Sequence, residues 1–186
     1  MPDPIADLDL YSLFHGRIGL TRSEGGHLAE CAVVCYHKTG KTRLPNLRVT
    51  GRYAKEFALT GPAVTRQMRR TYADAQEATE YGACGIAALV LEVCAGLTIL
   101  ERAPKGEGGF DYYLAPFSEG QNTDSENFFG SATATLEVSG ILQGTETDSQ
   151  YRLNEKIRQV QNRASSLPVF LAIVTFSISS VRIEQQ

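Results

Sequence analysis

Hydrophobic positions along the chain follow two different periods, and these predict alternating strands and helices. Six segments have the period of two, or the short apolar runs, that are typical of strands: residues 28–37, 47–59, 97–103, 109–116, 132–142 and 168–183. Residues 47–59 have the alternation of a half-buried hairpin. Residues 168–183 open with a near-continuous run of β-branched and aromatic residues, which indicates a strand buried on both faces.

Two segments have the longer helical period. The first runs from about residue 63 to residue 96, with a break near residues 71–73, and the second covers residues 148–163. Pro62 can open the first helix and Gly96 can end it. The order of hairpin, helix, three strands, helix and strand predicts an α/β (α+β) domain with a mixed central sheet flanked by helices. We expect one domain over residues 1–186, in which residues 1–61 form an N-terminal β-hairpin extension and residues 62–186 form the core.

Composition is that of an ordinary globular domain. The chain has 186 residues, of which 42% are hydrophobic and 21% are charged. No apolar run reaches the roughly 18 residues that a membrane helix needs, and the acidic start of the chain lacks the basic region of a signal peptide. These features predict a cytoplasmic protein with no membrane association. We expect the four cysteines to be reduced and buried, with Cys31 and Cys35 in one strand and Cys84 and Cys94 in one helix.

Charge is distributed unevenly along the chain. Residues 17–70 have a net charge of +8, whereas residues 71–186 have a net charge of −8. This asymmetry predicts one surface for an anionic partner and another that concentrates carboxylates, or else a dipolar surface without a ligand.

Two carboxylates lie on predicted neighbouring strands. Asp111 lies within GGFDYYL and Glu137 within TLEVSG, and each has apolar neighbours of the opposite parity. Opposed side chains on adjacent strands are about 5 Å apart, so two acids there would raise each other's pKa unless a cation lay between them. Because Mg²⁺ prefers oxygen ligands, the pair predicts a magnesium site. The alternative is two exposed acids on a solvated sheet face.

These motifs and the order of elements over roughly residues 72–178 resemble the core of the PD-(D/E)xK nuclease-like superfamily. Gly109-Phe110-Asp111 matches its Gly-x-Asp motif, and Glu137-Val138-Ser139 matches its Glu-x-Lys motif except at the last residue. The resemblance implies that residues 62–186 form a restriction-endonuclease-like core that hydrolyses DNA with Mg²⁺ or Mn²⁺. Asp111, Glu137 and the Val138 carbonyl would hold the ion.

The resemblance also assigns supporting roles. Glu77 or Glu80, on the preceding helix, could supply the additional acid that some members use. Since Ser139 cannot provide the positive charge of the family's lysine, Lys156 or Lys105 would have to replace it. Gln159 is on the following helix, where some members have a conserved glutamine.

Basic residues in the first half of the chain are candidates for DNA binding through phosphate contacts. They are Lys38, Lys41, Arg43, Arg48, Arg52, Arg66, Arg69 and Arg70. A solvated charged hairpin, or a surface for an acidic protein, would have the same composition. Three hypotheses follow: a nuclease, acting in restriction, repair or defence; an inactive nuclease-fold binding or scaffold subunit; and an unrelated α+β interaction protein. A protein partner or homo-oligomer is compatible with each of them.

Overall fold

The structure, a computed structural model, describes residues 6–17, 19–104, 109–117, 132–161 and 166–186. The strands in these ranges are β1 (Ala6–Asp9), β2 (Asn46–Gly51), β3 (Lys55–Thr60), β4 (Leu97–Arg102), β5 (Tyr112–Pro116), β6 (Ala134–Ile141), β7 (Val169–Thr175) and β8 (Ser180–Gln185). The α-helices are α1 (Arg22–Lys38), α2 (Arg66–Thr71), α3 (Ala75–Ala95) and α4 (Glu146–Gln161), and a 3-10 helix covers Leu10–His15.

All the described strands belong to a single sheet. Its order is β1-β3-β2-β8-β7-β6-β5-β4. The pairs β1–β3, β2–β8 and β6–β7 are parallel, and the other neighbours are antiparallel. The predicted mixed α/β architecture, with a central sheet flanked by helices, is therefore confirmed.

Helices cover the two faces of the sheet unequally. The main core joins α1 and α3 to the sheet residues Leu47, Phe57, Leu136, Phe170 and Val181. A smaller cluster on the opposite face joins α4 to β7 through Leu153, Leu171 and Ile173. Side chains of opposite parity on β6 and β7 therefore contact different helices.

Most of the predicted elements are present. The hairpin is β2 and β3, and its alternation matches the burial of Leu47 and Phe57. The first helical segment is divided into α2 and α3, close to the predicted break. Gly96 ends α3 in the left-handed conformation with φ +63°, as a C-terminal glycine does.

The strand predicted at residues 28–37 is wrong, because this segment lies inside α1. Thr21 caps this helix by accepting a hydrogen bond from the Glu24 amide at 3.2 Å. The helix is enclosed by the 3-10 helix, α3 and the sheet, so its residues from Cys31 to Tyr36 are all buried. Six successive buried residues are also the pattern of a strand buried on both faces, although the partly exposed His27 and Glu30 keep a helical spacing. Cys31 and Cys35 are free thiols on this helix.

The last predicted strand is two strands. Residues of β7 are all buried, as its sequence predicts, but the chain turns after Thr175 and returns as β8. No glycine or proline marks this turn, in which Ser179 has φ +53°. The sequence interpretation also missed β1, which pairs with β3 in parallel.

The N-terminal segment is integrated with the core. β2 pairs with β8, so the hairpin continues the same sheet. α1 packs against α3, where a Cβ on Gly82 would lie 2.9 Å from the Ala32 Cα. Residues 1–61 therefore contribute a central helix as well as the predicted hairpin.

A buried ion pair joins the N-terminal segment to the end of α3. Arg17 Nε donates to Glu92 Oε1 at 2.6 Å, and Thr98 Oγ1 donates to the same oxygen at 2.9 Å. Arg17 Nη1 also donates to the Ser12 carbonyl at 2.7 Å. The side chains of Arg17 and Glu92 are only 13% and 6% exposed, so each charge depends on the other for compensation.

α3 is long and apolar enough to cross a membrane by length and composition, yet 67% of its apolar window is buried inside the structure. Its surroundings are α1 and the sheet. This environment is that of a helix in the protein core.

We expect Glu92→Gln to lower the free energy of unfolding by about 3 kcal/mol, because it leaves the buried Arg17 without a counter-charge. Urea denaturation measures the change. Glu101→Gln, the same substitution at an exposed position on β4, should change stability by less than about 0.5 kcal/mol. Equal effects of the two substitutions would contradict the role given to the Arg17–Glu92 pair.

Candidate functional site

Asp111 lies at the open end of the β5–β6 ladder, one residue before β5 begins. The last paired residues are Tyr112 and Leu136. The Asp111 amide donates to the Leu136 carbonyl at 2.8 Å. Its Oδ2 accepts from the Val138 amide at 2.7 Å. The carboxylate therefore extends the ladder beyond the end of β5, a role that the strand prediction for residues 109–116 missed.

Glu137 lies on β6 and faces the side of the sheet that α4 covers. Its carboxylate forms a salt bridge with Lys156, whose Nζ reaches Glu137 Oε1 from α4. The side chains of Glu137 and Lys156 are 11% and 19% exposed, so water screens this pair only partly. The structure thus brings Lys156, one of the two lysines predicted to replace the missing charge at Ser139, to Glu137.

Burial raises the pKa of Asp111 above its ordinary value of 3.8, because the charged carboxylate loses solvation. The Val138 amide and the positive charges of Lys156 and Arg102 oppose this increase, and the negative charge of Glu80 adds to it. Asp111 is therefore under the influence of groups on α3, β4, β6 and α4. Charged groups from several elements surround this carboxylate, as is common at functional sites.

The other predicted residues are divided between the site and its surroundings. The negative charge of Glu80 raises the pKa of Asp111, whereas that of Glu77 raises the pKa of Cys31. Gln159 is exposed on α4, and Lys105 lies outside the described residues. Glu80 is therefore the better placed of the two acids predicted on this helix.

Ser139 contacts a second cation from α4. Arg152 Nη1 donates to Ser139 Oγ at 3.4 Å, a long hydrogen bond, and Arg152 also lies 3.6 Å from Glu155. Arg152 and Lys156 are four residues apart, on one face of the helix. α4 therefore aligns two of its cations with Ser139 and Glu137 of β6.

Sequence reasoning missed several neighbours of the site. Arg102 lies close enough to lower the pKa of Asp111, and it forms a 3.7 Å salt bridge with Glu24. The Phe110 and Tyr113 rings pack edge to face at 4.9 Å beside the same strand end. Only the aromatic residues that flank Asp111 in GGFDYYL gave a sequence signal, since Arg102 and Arg152 are brought in by tertiary packing.

The available donors suit a hard divalent cation. Mg²⁺ commonly takes one or two protein carboxylates and completes its shell with water and substrate oxygens. Asp111 and Glu137 supply two carboxylates, and the desolvation that raises the pKa of Asp111 would be relieved by a bound cation. Within the described ranges, no group of three or more His, Cys, Asp or Glu side chains is arranged to hold a metal ion. Asp111 and Glu137 are the two carboxylates that this arrangement would offer to an ion.

Several of the predicted DNA-binding residues make contacts within the protein. Lys38 Nζ donates to the Ala73 carbonyl at 2.9 Å. Lys41 Nζ donates to the carbonyls of Phe176 and Ser177 at 3.1 and 2.6 Å, and burial lowers its pKa. Arg48 forms a salt bridge with Glu146. These three side chains hold the described elements together.

The other basic residues are exposed. Arg52 packs 5.9 Å from the centroid of the Tyr53 ring, on the turn between β2 and β3. Four more exposed arginines make no salt bridge with any residue that the structure describes: Arg43, Arg66, Arg69 and Arg70. The last three are on or at the start of α2, which is therefore the densest exposed basic element of the predicted set.

Comparison with known proteins adds no relative: no protein-family model, curated protein or solved structure matches this chain. The site must therefore be interpreted from its own geometry.

We expect Asp111→Asn to increase the free energy of unfolding at pH 7, because the raised pKa of Asp111 means that its ionised form opposes folding. The neutral amide can still accept from the Val138 amide. The difference from the unsubstituted protein should grow as pH rises through the folded-state pKa, and it should vanish below pH 3.8, where the carboxyl is protonated in both states.

Thermal unfolding across this pH range measures the effect. Asp74→Asn is a suitable control, because Asp74 caps the exposed start of α3 and asparagine caps helices equally well. A loss of stability in Asp111→Asn at neutral pH would contradict the electrostatic cost assigned to Asp111.

Proposed function

We propose that this protein is a nuclease-like phosphodiester hydrolase that depends on Mg²⁺ or Mn²⁺ and acts on DNA in the cytoplasm. The observation that supports it best is the position of Lys156, which forms a salt bridge with Glu137 and also lowers the pKa of Asp111, whose carboxylate binds the amide of the next residue, Val138. Two acids and a lysine are the components that the PD-(D/E)xK resemblance requires, although its lysine would follow Glu137 on the same strand, whereas Lys156 comes from α4. The order α3, β4, β5, β6, α4, β7 also agrees with that resemblance.

Each residue has a distinct role in this proposal. Asp111 and Glu137, with the Val138 carbonyl, would hold the cation, which when bound lowers the pKa of water and stabilises negative charge on phosphate. Lys156 supplies the positive charge that Ser139 lacks, and its ammonium can stabilise charge that develops on a phosphoryl oxygen. Glu80 adds negative charge near Asp111 and so increases the attraction of the site for a cation.

A second function is favoured by the same contacts. Lys156 already neutralises Glu137, and the Val138 amide already binds the Asp111 carboxylate. Both acids therefore have partners within the protein, as they would in an inactive nuclease-fold subunit that binds DNA or a protein. The two proposals differ in whether a divalent cation binds between these acids.

We expect supercoiled plasmid to be cleaved in the presence of Mg²⁺ or Mn²⁺, with about 100-fold or greater losses of rate in Asp111→Asn, Glu137→Gln and Lys156→Met. Glu101→Gln is the matched control, because Glu101 is an exposed acid on β4. Its rate should equal that of the unsubstituted protein. Cleavage that persists in Asp111→Asn and Glu137→Gln would refute the assigned site.

Metal-induced stabilisation separates the active protein from the inactive subunit. A cation that binds the folded state raises its melting temperature, by an amount corresponding to about 2.7 kcal/mol at a concentration 100 times its Kd. The absence of both cleavage and this increase would favour the inactive subunit.

The exposed arginines of α2 provide an independent test of DNA binding. Replacing Arg66, Arg69 and Arg70 together with alanine should reduce the slope of log Kobs against log salt by about 3, since each phosphate contact contributes about 0.9. Fluorescence anisotropy with labelled DNA measures the slope. Arg48→Ala should leave the slope nearly unchanged, because Arg48 is already paired with Glu146. Equal slopes for the triple variant and the unsubstituted protein would exclude α2 as a DNA-binding element.

A further inference from the structure

An aromatic pair lies beside the candidate site. The rings of Phe110 and Tyr113 are 4.9 Å apart at an interplanar angle of 81°, and both side chains are partly exposed. Tyr113 is opposite Thr135 in the sheet register. Since Thr135 and Glu137 share a face of β6, Tyr113 is a diagonal neighbour of Glu137 on that face.

This pair continues a row of cations. On the same face, α4 places Lys156 at Glu137 and Arg152 at Ser139. Tyr113 is next to the Glu137 end of this row. Proteins that bind single-stranded nucleic acids combine cations that follow the backbone with aromatic rings on which bases stack. Both components are present here on two adjacent strands and one helix.

We propose that Phe110 and Tyr113 form a stacking surface for an unpaired base of a single-stranded nucleic acid whose backbone passes along Lys156 and Arg152. The inference rests on the proposed function, since it takes the substrate of this site to be a nucleic acid, and it specifies that substrate as single-stranded or locally unpaired. A paired base is stacked inside its duplex and would first have to be extruded to reach the rings.

Binding is measured by fluorescence anisotropy with labelled single-stranded DNA and RNA of the same sequence, in EDTA, so that no turnover occurs. Phe110→Ala and Tyr113→Ala should each weaken binding by about tenfold, the typical effect of losing one stacked base. Tyr113→Phe, which keeps the ring, should bind with the affinity of the unsubstituted protein. A larger loss for one of the two nucleic acids identifies which of them the surface prefers.

Two controls distinguish stacking from general damage. Tyr151→Ala removes a ring that is 64% exposed elsewhere on α4 and should leave the affinity unchanged. An oligomer of abasic nucleotides has the same backbone charge but no bases. The alanine variants and the unsubstituted protein should bind it equally. Phe110→Leu, which keeps apolar volume, should retain the melting temperature and still lose affinity for the normal oligomer.

Other results would overturn the proposal. These are an unchanged affinity in both alanine variants, an equal loss of affinity for the abasic oligomer or for duplex DNA, and an absence of binding to either single strand. Failure of the hydrolase proposal gives a different result: no cleavage with metal, while ring-dependent binding in EDTA persists. Stacking and hydrolysis can therefore fail independently.

Discussion

The close approach of α3 to β6 is the constraint on which the rest of the site depends. Gly140 on β6 has no side chain, and a Cβ there would lie 2.5 Å from the Thr79 carbonyl oxygen of α3. This contact holds the beginning of the helix against the end of the strand, so that Glu80 acts on Asp111. Any larger residue at Gly140 would separate the two elements because backbone atoms, rather than a flexible side chain, occupy the space. The electrostatics of the site thus depend on a steric feature of the core.

Side chains along β6 alternate between the core face of the sheet and the face that carries the candidate site. Leu136 points into the core between the sheet and α3, whereas Glu137 points to the opposite face and contacts Lys156 of α4. A shift of register by one residue would bury the carboxylate in the main core and move the leucine to the face that α4 covers. Because the core fixes the register so strongly, the position of Glu137 is a consequence of packing. This parity was visible in the sequence, and the location of Glu137 on a strand was therefore predictable.

What could not be predicted has equally specific causes. α1 was mistaken for a strand because residues 31–36 are buried one after another, which is also the pattern of a strand buried on both faces. The role of the Asp111 carboxylate as a partner of the Val138 amide depends on where β5 begins, and boundaries of elements are set by tertiary contacts. The sequence limited the replacement lysine to Lys105 or Lys156, and the placement of α4 on β7 is what brings Lys156 to Glu137.

Charge asymmetry between the two halves of the chain acquires a structural explanation. Arg17 pairs with Glu92, and Arg48 pairs with Glu146, so basic residues of the first half neutralise acids of the second. Lys41 likewise binds carbonyls beyond β7. Some of the basic residues that cause the charge asymmetry therefore join the N-terminal segment to the core through these contacts. Among the predicted DNA-binding residues, the exposed arginines of α2 are the densest group that makes no such contact with the described residues.

Under the proposed function, the serine at position 139 corresponds to a positive charge that is placed on a helix instead of on the strand. A lysine on β6 would have placed its charge next to Glu137 directly. Here the strand carries a hydroxyl, and α4 brings Arg152 to that hydroxyl and Lys156 to Glu137. A lysine at position 139 would be repelled by Arg152. The positive charge can therefore come from β6 or from α4, but not favourably from both. In the proposed mechanism Lys156 would exchange Glu137 for a phosphate oxygen, and a serine at position 139 is compatible with that role.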